Sequence, residues 1–182
     1  MPSSLYCQPR VMSSSFTLAP QRLPQTTGTA GRAALPVDSP LHRSILSPTG
    51  AVLGTMDIEE NGQLLVGRWL CESTPANLVT GLGVALELLG YHPCRAILSD
   101  GSEATGDWSD MRAWVEYEVL PQLVSLGVRF VANVRNPDPA GRLAHQKYAQ
   151  YASNFLTINI FDDPATARKW LRPLLRRSYG AI

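Results

Sequence analysis

The chain has 182 residues, is 45% hydrophobic and carries a formal net charge of +1. That is enough for one domain of ordinary size plus a tail, and the balanced charge gives no general drive toward nucleic acid or a membrane surface. No apolar run approaches the ~20 residues of a membrane span, and Cys7, Cys71 and Cys94 lack the paired spacing of a disulfide framework or zinc site.

Residues 1–48 are rich in Ser, Pro, Thr and Gly and hold almost no acid before Asp38. Such a segment buries too little apolar surface to offset its ordering entropy, so it reads as a disordered tail. Arg10, Arg22, Arg32 and the serines resemble a transit peptide, but no amphipathic helix is evident, and Met12 is an alternative start. No signal-peptide pattern is present, so a soluble cytoplasmic protein is expected.

A single domain is expected over 49–177, followed by a short tail, 178–182. Val52 to Ile58 and Leu64 to Leu70 are strand-like, joined by Glu59-Glu60-Asn61-Gly62, and Asn-Gly is a strong hairpin signal. Thr74-Pro75 predicts a helix start, and Leu78, Val79, Leu82, Ala85, Leu86 and Leu89 continue at helical spacing up to Gly90 and Pro93. Arg95 to Asp100 reads as a buried strand ending in a carboxylate. Gly101 to Trp108 follows as a loop and Ser109 to Leu126 as a helix capped by Ser109, kinked at Pro121 and stopped by Gly127. Val128 to Val134 is a strand, and Ala140 to Tyr151 a half-exposed helix with Leu143, Ala144, Tyr148 and Ala149 inward. Phe155 to Phe161 is a strand, and Asp163-Pro164 opens a final helix bent at Pro173. The order β-β-α-β-α-β-α-β-α gives an α/β fold with a mostly parallel sheet, one antiparallel edge and covering helices.

The segments Ile97-Leu98-Ser99-Asp100, Thr105-Gly106-Asp107-Trp108, Trp114-Val115, Leu120-Pro121, Gly127 to Ala132 and Phe161 to Leu171 resemble the bacterial STAS/SEC14-type, SpoIIAA-like proteins. The resemblance covers about Ala51 to Leu171 and rests on spaced aromatics, glycines and a proline, with no catalytic signature. It implies the fold of anti-sigma factor antagonists, a class made mostly of binding modules. Some are switched by phosphorylation at the start of the helix after the central strand. The corresponding place here is Asp100 to Ser109. Ser109 is the nearest candidate phosphosite and Ser102 and Thr105 weaker ones, although the antagonists' compact Asp-Ser-Ser-Gly-type turn is absent.

Ligands of open α/β sheets gather at the carboxyl ends of strands. The candidate partner- or ligand-binding residues are therefore Asp100, Gly101, Gly106, Asp107 and Trp108. Asp100, Trp108 and the candidate phosphosite Ser109 also have plainer readings: Asp100 as an Asx turn, Ser109 as a helix cap, Trp108 as a packed ring. Gly81-Leu82-Gly83 lacks the third glycine and preceding strand of a dinucleotide fingerprint and reads as a site of close helix packing. His42, His92 and His145 form no ligand pair or triad. Asp57, Glu59 and Glu60 read as a solvated turn, and Arg172, Arg176 and Arg177 as complements to a helix C-terminus. No metal or cofactor is expected. The leading expectation is a non-enzymatic regulatory module that binds a protein partner through Asp100 to Asp110, with a homodimer left open. The alternative is a carrier of a small apolar, lipid-like ligand, which requires an internal cavity. An enzyme using Asp100 or Asp107 as acid or base comes third.

Overall fold

A computed structural model describes residues 41–176. Most of the expected tail, the transit-peptide and start-site readings, Cys7, Arg177 and the segment 178–182 lie outside the described residues. Six strands form one sheet: β1 (His42–Leu46), β2 (Val52–Glu59), β3 (Leu64–Trp69), β4 (Ala96–Asp100), β5 (Phe130–Val134) and β6 (Thr157–Phe161). They lie side by side in chain order, with β1–β2–β3 antiparallel and β3 to β6 parallel. The helices are α1 (Pro75–Tyr91), α2 (residues 109–125, in several turns of differing pitch), α3 (Pro139–Ala152) and α4 (Pro164–Arg176).

The mostly parallel α/β expectation holds, with one added strand. β1 lies inside the segment read as tail. His42-Arg43-Ser44-Ile45-Leu46 has no strong alternation. Only Ile45 is fully buried, and the strand is held by its ladder to β2 and by His42 Nδ1 on Asp57 Oδ1 at 2.6 Å. Such pairing leaves little trace in a hydropathy pattern. β2 is consequently an interior strand rather than a sheet edge.

The start signals act as expected. Thr74 Oγ1 accepts from Asn77 N, Asp138 Oδ1 from Ala140 N and Asp163 Oδ1 from Thr166 N, each capping the helix that a proline opens. At the start of α2, however, Ser109 is not the cap. Asp107 accepts from Ser109 N at 2.9 Å and from Ser109 Oγ at 2.6 Å, and the helix opens with a 3₁₀ turn, Ser109–Met111. Pro121 supplies no N–H to the preceding turn. The helix answers with a wide π turn over Val115–Val119, where Leu120 N donates to Val115 O.

Two apolar layers result. α1, α2 and α3 cover one sheet face, meeting Met56, Leu65 and Val131. α4 covers the other, where Ala167, Leu171 and Leu175 pack on Leu64, Val66, Ala96, Leu98, Ala132 and Val134. Leu143, expected inward on α3, is half exposed, while Ala144, Tyr148 and Ala152 face the core. The acidic turn is not merely solvated. Arg168 pairs with Glu59 and Arg172 with Glu60, so Arg172 ties α4 to the β2–β3 turn rather than to its own helix end.

Among the described residues no helix is long and apolar enough to cross a membrane.

Candidate functional site

The sheet face beneath α1–α3 is built in rows by strand register. Leu65, Ile97 and Val131 form one row. Met56, Gly67, Ser99 and Asn133 form the next, nearer the carboxyl ends of the parallel strands. Gly67 carries no side chain because Met56 occupies the space: a Cβ there would lie 2.8 Å from Met56 Sδ. Trp69, just beyond, lays its ring against Gly81 of α1 and donates Nε1–H to Ser99 Oγ at 3.0 Å. The close packing expected of the glycine pair is therefore real at Gly81, while Gly83 faces open space.

Over the strand ends two loops are joined. Ser73 N donates to Thr105 O at 2.8 Å and Thr105 N to Cys71 O at 3.3 Å, forming a parallel bridge between Glu72 and Thr105. Asn136 ties the second loop to α3. Its Oδ1 accepts from Asp138 N, and its Nδ2 donates to Gly106 O at 3.4 Å.

Between floor, helices and loops lies a cavity of about 120 Å³. Its walls include Trp69, Ile97, Ser99, Trp108, Asn133 and His145, and no Asp, Glu, Lys or Arg side chain contributes. An engineered apolar cavity of about 150 Å³ is large enough to hold benzene. Trp108 is only 7% exposed, with its ring edge-on to His145 at 5.2 Å and to Tyr148 at 5.9 Å. It is a wall of the interior and not a surface anchor.

Buried polar groups are normally hydrogen-bonded. Among the described residues four buried side-chain nitrogens lack a well-directed partner: His42 Nε2, Trp108 Nε1, Asn133 Nδ2 and His145 Nδ1. The last three belong to side chains of the cavity wall. Burial pushes the His145 pKa down to about 4, offset in part by the Gly141 carbonyl, so the ring is neutral near pH 7. Burial also pushes the Tyr148 phenol up to about 12, with Glu116 adding to the shift. The wall is thus uncharged but polar at a few points.

The residues singled out from the sequence divide. Gly101 and Trp108 line the cavity. Gly106 lies behind it, accepting from Asn136. Asp100 makes the Asx turn, its Oδ1 accepting from Ser102 N at 3.1 Å and Ser102 Oγ at 2.7 Å. Asp107 faces solvent, and its bonds from Ser109 hold its carboxyl below the usual range. Ser109 is exposed with its hydroxyl committed to Asp107. His42 sits in β1 rather than in a tail, and Cys71 and Cys94 are free thiols whose pKa values burial raises, that of Cys94 to about 11.

Ser99, Asn133, His145 and Tyr148 were not identified as site residues. Ser99 and Asn133 could have been, since each is a polar residue one position before the end of a strand whose first three residues are apolar. Among the described residues no group of His, Cys, Asp and Glu is placed to hold a metal ion. No protein-family model, curated protein or solved structure matches the chain.

Proposed function

We propose that this domain binds a small, largely apolar molecule inside the cavity between the sheet and helices α1–α3. The observation that carries the reading is an uncharged, largely apolar cavity of about 120 Å³ whose walls include Trp69, Ile97, Trp108 and Val131. The position near the carboxyl ends of β3–β5 agrees with where ligands gather in open α/β sheets. The STAS/SEC14-type resemblance is part of the same proposal, with carrier rather than switch as the role.

A protein-docking loop at Asp100 to Asp110 has less support, because its one large side chain, Trp108, is buried. Phosphorylation of Ser109 would esterify the hydroxyl that donates to the Asp107 carboxylate, removing that proton, and the like charge opposes it. An acid–base role for Asp107 fits poorly, since a carboxyl held below its usual range is a weak base.

The test is a titration of the full chain with ethylbenzene followed by amide and indole N–H chemical shifts. Saturable shifts confined to Trp69, Ser99, Trp108, Asn133 and their neighbours are expected. Absence of a saturable response there refutes the reading.

A further inference from the structure

The sheet has two edge strands, and they differ. β1 begins with the basic residues His42 and Arg43, and its register with β2 shifts between Ile45 and Leu46. Basic residues and bulges are devices that blunt an edge strand. β6 reads Thr157-Ile158-Asn159-Ile160-Phe161, with no charge, proline or glycine, and its register with β5 is unbroken. Among the described residues its only neighbouring strand is β5.

Register shows which backbone groups are left over. Thr157 N donates to Arg129 O and Arg135 N to Phe161 O, so Thr157, Asn159 and Phe161 turn their backbone groups toward β5. Alternation then turns the N–H and C=O groups of Ile158 and Ile160 to the open side. Apolar side chains flank that side on both sheet faces. Ile158 and Ile160 lie on the α3 face, and on the other Phe161 packs against Trp170 of α4; all four are half-buried. A straight, uncharged edge of β-branched and aromatic residues is a template for another strand.

We propose that β6 is a homodimer interface, where two copies of the chain pair edge to edge and antiparallel about a two-fold axis at Asn159. The strand is self-complementary about that residue. Ile158 of one copy faces Ile160 of the second copy, so the open N–H and C=O groups of both are met, and symmetry repeats the pair. The exposed Asn159 faces Asn159 of the second copy on the axis, and a carboxamide both donates and accepts. Thr157 faces Phe161 of the second copy, a β-branched residue against an aromatic one. Asp162, the first acid after the strand, falls opposite Leu156, so this register sets no like charges against each other. Each copy uses its own β6, and the pairing closes at two. No β6 residue lines the cavity, so this inference stands apart from the ligand reading.

The experiment begins with sedimentation equilibrium of the full chain, which should give a reversible dimer. Asn159→Asp keeps the shape of an exposed side chain and sets two carboxylates face to face. It should raise the dimer dissociation constant about tenfold. Cysteine substitution fixes the register. In this pairing the two Cα atoms at position 159 lie about 4.5 Å apart, within disulfide reach, and those at position 157 about 14 Å apart, beyond it. Under mild oxidation Asn159→Cys should form a linked dimer, with the bond mapped to position 159 by peptide mass. Thr157→Cys should link no faster than wild type.

A chain that stays monomeric at millimolar concentration overturns the inference, and this measurement needs no variant. A larger assembly, a dimer indifferent to Asn159→Asp, or equal cross-linking at positions 157 and 159 overturns it as well.

Discussion

Gly81→Ala separates the packing account from helix propensity, because the two predict opposite signs. Alanine is favoured over glycine in a helix interior by about 1 kcal/mol, so propensity alone predicts stabilisation. In the fold a Cβ at Gly81 would lie 2.4 Å from Trp69 Cζ3 and 2.6 Å from its Cη2, closer than such atoms approach. The ring cannot withdraw freely, since its Nε1 is bonded to Ser99 Oγ on β4. Overpacking of this kind costs about 1–3 kcal/mol, and losing the bond costs about 1 kcal/mol more. A net destabilisation of about 1–3 kcal/mol is expected after the propensity gain. Gly83→Ala is the internal control, because its Cβ meets nothing within 4 Å. It should stabilise by about 0.5–1 kcal/mol. Urea unfolding of the full chain reads both as midpoint shifts at constant slope. A Gly81→Ala chain as stable as wild type would refute the placement of Trp69, and with it one wall of the cavity.

The His145 ring gives a pH signature. Its folded pKa of about 4 lies below the ordinary 6.5, so the unfolded chain binds the proton first, and stability present above pH 6.5 is lost as pH falls toward 4. The full contribution is about 3 kcal/mol, and a pH 5–6.5 stability slope equal in wild type and His145→Gln would contradict the burial of this ring. Arg112→Ala should destabilise by about 1–3 kcal/mol, because it strips the 2.7 Å partner from a Glu116 side chain that is 3% exposed, discounted for the partly exposed arginine. Arg112→Ala, Glu116→Gln and the double variant in a denaturation cycle check this, and a coupling near zero would dismiss the pair. Leu171→Ala should cost about 2–5 kcal/mol, since it empties the centre of the α4 layer. Thermal or urea unfolding measures it, and a loss under about 1 kcal/mol would mean that α4 is not anchored there.

Much of the frame is legible in the sequence because its signals are local. Thr74-Pro75 and Asp163-Pro164 each bring cap and proline together, and Asn61-Gly62 marks a turn with positive φ at both residues. β1 is not legible, because what holds it is backbone pairing and side-chain bonding, such as His42 to Asp57, with a strand ten residues on. The Ser109 cap misleads because Asp107, two residues earlier, accepts both the Ser109 N–H and the Ser109 hydroxyl, which engages that side chain away from the helix N–H groups a cap would serve. The site was half legible for a related reason. A loop of Asp, Gly and Trp at a strand end points to the right end of the sheet. Whether Trp108 faces in or out depends on His145 and Tyr148, some forty residues away on α3. The partners of Ser99 and Asn133 lie on neighbouring strands, and only register brings them into one row.

The most direct test of the central claim is a crystal structure of the full chain under xenon pressure. Xenon enters apolar cavities of this size and reports space rather than affinity. Xenon density between the sheet and α1–α3, against Ile97, Trp108 and Val131, is the predicted result. Side chains filling that space, with no xenon bound there, would contradict the claim that the domain is built around a ligand cavity.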